Sequence, residues 1–155
     1  MEIPQNILSL IYQQAETEYP HECCGVVMGP QAKEGEWAKV IRCHNVQDKY
    51  HELDPENFPR TSKTAYFMDP AELLKIHKQM RESGQAIRMI YHSHVDSDAV
   101  FSEEDKRQAL ADNGFPVYPG VLYCVVSVFQ GRVRSHQLFR WESKKEDFIL
   151  CSKIF

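Results

Sequence analysis

The chain has 155 residues, 43% hydrophobic and 26% charged, enough for one domain with one core that buries roughly two-thirds of its unfolded surface. That composition is neither apolar-poor, as in disordered chains, nor interrupted by a run long enough to span a bilayer, so no membrane partner is expected. A formal net charge of -4 without a Lys/Arg block leaves no basic face for phosphates, and no nucleic acid partner is expected either.

The N-terminal MEIPQNILSLIYQQ lacks the basic stretch and small-residue cleavage site of a secretory leader, which points to the cytoplasm. Ile7, Leu8, Leu10, Ile11 and Ala15 recur at helical spacing, predicting an amphipathic helix with Pro4 in its first turn and an end near Tyr19-Pro20. CGVVMG at 24–29 and WAKVIRCHNV from Trp37 predict two strands of a hairpin. Residues 45–63 are polar, contain two prolines and have no periodicity, so they predict a long loop, a feature often tied to function. A strand is expected at 64–68. After it, D-P-A-E at 69–72 supplies an N-cap, an N1 proline and an N3 glutamate for a helix that stops at Gly84.

AIRMIYH at 86–92 predicts a strand whose end delivers polar residues into a loop. S-E-E-D at 102–105 opens a helix running to Gly114, and VLYCVVSVF and RVRSHQLFRW predict two strands joined across Gln130-Gly131. No repeat, linker or second domain is visible, so residues 1–155 are expected to form one domain. The tail carrying Phe148, Ile149, Leu150, Ile154 and Phe155 is apolar enough to dock on it.

Cys23, Cys24, Cys43, Cys124 and Cys151 are odd in number, without paired spacing, and read as reduced core thiols. Cys23 and Cys24 adjoin at a strand start, where one is expected to point inward and one outward.

The chemistry concentrates in one interval. Residues two apart on a strand face the same side, so His92 and His94 can turn their imidazoles to one point, a good half-site for zinc. Asp105 follows in the first turn of the helix opened by Ser102, where a carboxylate suits the helix dipole. Three protein ligands would leave a fourth position for water, as in catalytic zinc sites. Each residue also has a plainer reading: surface histidines at a strand end, and Ser102 with Asp105 as a capping box. The joint spacing H-S-H-x7-S-x2-D, within fourteen residues of a strand-loop-helix unit, outweighs these separate readings.

That motif, with the upstream P-H-E-C-C-G-V-V-M-G, resembles the JAMM motif of the MPN-plus (Mov34/MPN/PAD-1) metalloproteases. The likeness continues in Tyr66-Phe67-Met68-Asp69-Pro70 and Tyr118-Pro119-Gly120, nearly the whole chain. It implies a single α/β JAMM/MPN domain of cytidine deaminase-like architecture, with a curved, mixed, largely antiparallel sheet flanked by helices. It further implies one Zn2+ per chain on His92, His94 and Asp105, Glu22 as general acid/base and Ser102 as a donor to the tetrahedral oxyanion. The implied reaction is hydrolysis of an amide or isopeptide bond at the C-terminal glycine of a ubiquitin-like or sulfur-carrier protein, releasing for example an amino acid such as cysteine. Zinc lowers the pKa of its water, and a carboxylate in reach can take the proton and later return it to the departing amine. The expected partner is therefore a carrier with a glycine-ending C-terminal tail, and the loop at 45–63 is a candidate wall of its groove.

Three rivals are weaker. A non-catalytic MPN scaffold usually lacks metal ligands that this chain keeps. A zinc deaminase needs H-x-E and C-x-x-C, both absent here. A thiol-dependent redox protein would work through Cys23 or Cys24. His21, beside Glu22, can lie near the site but is not required by the family pattern; it and the scattered His44, His51, His77 and His136 read as surface or satisfied polar residues.

Overall fold

The computed structural model describes residues 2–151, so the expected docking of Ile154 and Phe155 lies outside the described residues. Its elements are α1 (Gln5–Glu18), β1 (Cys24–Pro30), β2 (Lys39–Cys43), α2 (Gln47–Leu53), α3 (Pro70–Ser83), β3 (Gln85–Val95), α4 (Glu103–Ala109), β4 (Leu122–Phe129), β5 (Arg132–Glu142) and β6 (Asp147–Leu150). The strands form one open sheet in the order β2-β1-β3-β4-β5-β6. Only β3 and β4 pair in parallel; the other four pairings are antiparallel.

Both faces of the sheet are covered, which explains the nearly unbroken burial of β1, β3 and β4. On one face Ile7, Ile11 and Ala15 of α1 pack on Cys23, Val27, Met89, Tyr91, Cys124 and Val126. On the other, Ile76 of α3, Ala109 of α4, Tyr66 and Phe101 pack on Cys24, Val26, Ile90, Tyr123, Val125 and Phe148. Cys23 and Cys24 do point to opposite faces, but neither points to solvent: both are fully buried because each face carries a helix layer. All five cysteines are free.

Several elements match their sequence signals. Asp69 caps α3 by accepting from the Ala71 N–H at 2.9 Å, Pro70 opens it, and Gly84 ends it in the left-handed region at φ 66. Gln130 and Gly131, at φ 51 and 81, make the tight turn between β4 and β5.

Other elements differ from expectation. Residues 45–63 contain a helix, α2, rather than loop throughout. Its entry is held by Asn45 Oδ1, which accepts from the Gln47 N–H at 3.0 Å, and Tyr50 packs on Phe58 and Phe67, so tertiary contacts make a helix without local periodicity. Residues 64–68 form no strand; one bridge, Asn45 to Met68, stands in its place. Pro4 is the N-cap of α1 rather than a first-turn residue. α4 ends at Ala109, short of Gly114, because the following turn takes over its backbone groups: Val117 N–H donates to the Ala109 carbonyl, and Leu110 bridges to Pro116. β3 runs on through Val95, so His92 and His94 lie within the strand and not beyond its end.

Candidate metal centre

The strand extension sets the geometry. His92 and His94 share the face of β3 that carries α3 and α4, and their Nε2 atoms stand 3.2 Å apart. α4, in the crossover between the parallel strands β3 and β4, brings Asp105 over them. Its Oδ1 lies 3.1 Å from His92 Nε2 and its Oδ2 3.1 Å from His94 Nε2. All three side chains are buried. Donors on an ion with 2.0–2.1 Å bonds would stand about 3.3 Å apart, close to each of these contacts, although the two rings meet different oxygens of Asp105.

Second contacts aim the rings. His94 Nδ1 meets the Asp98 carbonyl at 3.0 Å, so Nδ1 carries the hydrogen and, in a neutral ring, the Nε2 lone pair faces Asp105. His92 Nδ1 is buried without a partner. Tyr66 instead stacks on the His92 ring, centroids 4.5 Å apart and planes 23° apart. Lone pairs and a carboxylate converging in a buried spot repel one another unless a cation or proton lies between them, so the donor set fits a divalent metal.

Glu22 reaches the same place from two residues ahead of β1. Its N–H donates to the Ser62 carbonyl at 2.7 Å, and its own carbonyl accepts from Asn45 Nδ2 at 2.9 Å. Ser93, between the two histidines, ties β3 to this point: its Oγ accepts from the Cys23 N–H at 2.8 Å, and its N–H donates to the Cys23 carbonyl at 3.1 Å. The Glu22 carboxylate, 4% exposed, lies within 4.8 Å of both histidine nitrogens, and its Oε1 has no partner. Two trios are thus possible ligand sets, Glu22 or Asp105 with the same two histidines; the Asp105 contacts are the tighter. Ser102 caps α4: its Oγ accepts from the Asp105 N–H at 3.1 Å, and its N–H donates to Asp105 Oδ2 at 2.9 Å. The capping box therefore also fixes the rotamer of Asp105.

The electrostatics separate the two carboxylates. Burial pushes Glu22 up to about 8, with His94 pulling it down, Asp105 pushing it up and Arg60 pulling it down. Burial also works against ionised Asp105, but the charge and hydrogen bond of His92, with those of His94, hold it far below the usual carboxylate range. Burial lowers His94, yet the hydrogen bond and charge of Asp105 outweigh it and raise the ring. A protonatable carboxyl beside a firmly ionised one is the division of labour seen in acid-base sites.

All five residues read from the motif thus meet at one end of β3. The supporting set was not legible. Asn45 and Ser62 come from a polar stretch with no pattern of its own, and Tyr66 stands in the longer likeness without a role attached to it. His21 stands beside Glu22 with Ser62 as its partner, while four other histidines have partners elsewhere: His44 with Glu72, His51 with the Phe58 carbonyl, His77 with Tyr118 and His136 with Tyr12.

Fold and site together define a single-domain α/β protein with a buried cluster of metal-ligating side chains. The family described as prokaryotic homologs of the JAB domain matches residues 4–142, and the chain belongs to that family. It is 29% identical over 132 residues to a desampylase of Haloferax volcanii, a match covering 85% of this chain and 80% of the relative. It is 26% identical over 107 residues to the CysO-cysteine peptidase of Mycobacterium tuberculosis, covering 69% of this chain and 64% of that protein. Among solved structures it resembles a Desulfitobacterium hafniense protein, with TM-score 0.66, 22% identity and coverage of 94% and 86% of the two chains. It also resembles a JAB1/MPN domain protein of Archaeoglobus fulgidus, with TM-score 0.52, 15% identity and coverage of 96% and 94%. At these identities the structural matches speak for the fold alone.

Proposed function

We propose that the chain is a zinc-dependent hydrolase that cuts an amide or isopeptide bond after the C-terminal glycine of a ubiquitin-like or sulfur-carrier protein. The observation that carries this reading is the triangle of His92, His94 and Asp105, with Glu22 beside it. The names of the two relatives, a desampylase and a CysO-cysteine peptidase, support a carrier protein as substrate.

His92, His94 and Asp105 would hold one Zn2+. Bound zinc would polarise a carbonyl and acidify water. Glu22, which stands beside both histidines, takes a proton from the attacking water and returns it to the departing nitrogen. Asp105 is assigned to the metal, and not to proton transfer, because both its oxygens already face the histidines and it stays ionised. Ser102 keeps its hydroxyl hydrogen while its oxygen accepts from Asp105, so it can still donate to an oxyanion. The five free thiols suit a reducing compartment such as the cytoplasm.

The test is hydrolysis of a carrier protein conjugated through its terminal glycine, with zinc-loaded protein and with the same protein after chelation. Cleavage after the glycine that stops on chelation and returns with zinc is expected. A zinc-loaded protein that cleaves none of a panel of glycine-ended conjugates would favour a binding scaffold.

A further inference from the structure

The Glu22 backbone is held from both sides by residues at the start of α2. Its N–H donates to the Ser62 carbonyl at 2.7 Å. Buried Ser62 is fixed in turn by Asp48, in the first turn of α2, whose carboxylate accepts from the Ser62 N–H at 2.7 Å and from its hydroxyl at 2.8 Å; His21 Nδ1 touches the same hydroxyl at 2.5 Å. On the other side the Glu22 carbonyl accepts from Asn45 Nδ2 at 2.9 Å. The Asn45 amide is fully used: Nδ2 also donates to the Ala65 carbonyl at 3.1 Å, and Oδ1 accepts from the N–H groups of Gln47 and Phe67, each at 3.0 Å. Two carbonyls at one end and two N–H groups at the other fix which end is the nitrogen. Ala65 and Phe67 flank Tyr66, whose ring stacks on His92 and whose carbonyl accepts from Gln108 of α4, the helix that carries Asp105. One amide therefore joins Glu22 to the segment that touches both His92 and the Asp105 helix.

We propose that the start of α2, Asn45 directly and Asp48 through Ser62, positions the Glu22 carboxylate against the metal ligands. The inference rests on the reading above, in which Glu22 moves a proton beside the metal. Asn45 and Asp48 are then positioning residues, since their bonds go to backbone groups and to the Ser62 hydroxyl and not to reacting atoms. Glu22 Oε1 is buried without a partner, so that oxygen is placed by the backbone that carries it. The two halves of the Asn45 amide have separate tasks. Oδ1 holds the entry of α2 and the Phe67 N–H, whereas Nδ2 draws the Glu22 and Ala65 carbonyls toward one point. Without a donor between them, both carbonyls lose that partner and repel each other. An oxygen in place of the NH2 thus keeps the helix entry and moves Glu22 away from Tyr66 and from the histidine that Tyr66 supports. A displacement of about 1 Å at a proton-transfer group costs on the order of a hundredfold in rate.

The experiment makes Asn45→Asp and Asp48→Ala and measures turnover of a glycine-ended carrier conjugate per bound zinc, with KM and Tm, while hydrogen exchange of the Glu22 amide is followed by NMR. In Asn45→Asp, kcat per zinc should fall about a hundredfold with KM within about twofold of wild type, and the Glu22 N–H should exchange about tenfold faster relative to that of buried Val126 in β4. Asp48→Ala, at a half-exposed side chain, should lose about tenfold in kcat with the same local change in exchange, and it carries the test alone if Asn45→Asp does not fold. A purely structural role predicts another pattern: a lower Tm with full turnover per zinc, or faster exchange at Glu22 and Val126 alike. Either result overturns the proposal. If the wild-type protein cuts no conjugate, the hydrolase reading fails and exchange alone decides. Acceleration confined to Glu22 and its neighbours then supports the clamp, and an unchanged Glu22 N–H overturns it.

Discussion

Glu22→Gln should make the metal-free fold more stable at pH 8 while removing hydrolysis from the metal-loaded protein. The native carboxyl is raised from 4.5 to about 8, first by burial. Its folded pKa thus lies above its unfolded one, so the native state holds the extra proton between those values and stability falls as pH rises through that window. At about 1.4 kcal/mol per pH unit the cost reaches about 4 kcal/mol by pH 8. Glutamine fills the same space without a charge and escapes it. The Glu22 charge also raises His94, an attraction the variant gives up, which works against part of this gain. For a chain of this size, 4 kcal/mol corresponds to roughly 8–16 °C in Tm. The assay is thermal melting of wild type and variant in chelator at pH 5 and pH 8. The curves should converge at pH 5 and separate at pH 8, with the variant melting higher. Parallel losses in both proteins between the two pH values would refute the buried-carboxyl argument.

Tyr66→Leu removes the face on which His92 stacks, a contact that helps orient a ring whose Nδ1 has no partner. Zinc affinity should fall about tenfold or more, read by competition with a chromophoric chelator, while Tyr66→Phe keeps most of it. Ser102→Ala should cost about 1 kcal/mol as a lost cap, visible in Tm, together with a drop in kcat larger than that cost explains. Gly25→Ala should destabilise the fold by about 3 kcal/mol or prevent folding. A Cβ there would overlap the Tyr91 hydroxyl, which is held by Gln14, and the Ile41 carbonyl. Denaturant midpoints compared with a silent surface variant would check this.

The legible parts of this molecule were those with local causes. Asp69, Pro70 and Gly84 bracket α3 because caps and left-handed ends are chosen by single residues. The histidine pair was legible because strand periodicity alone puts positions 92 and 94 on one face. α2 was not, because its seven residues are held by Asn45 and by packing of Tyr50 on Phe58 and Phe67, contacts that no window of sequence displays. Ser62 shows no local sign for the same reason, since its role is to fix the Glu22 backbone from forty residues away. The early end of α4 reflects the bridge from Leu110 to Pro116, which competes with another helical turn.

The most direct test of the central claim is the zinc content of the purified protein by elemental analysis under chelator-free conditions, beside His94→Ala. About one zinc per wild-type chain, lost in the variant, is expected of a three-ligand site. A wild-type protein that holds no zinc and takes up none on reconstitution would contradict the metal centre and the hydrolytic chemistry built on it.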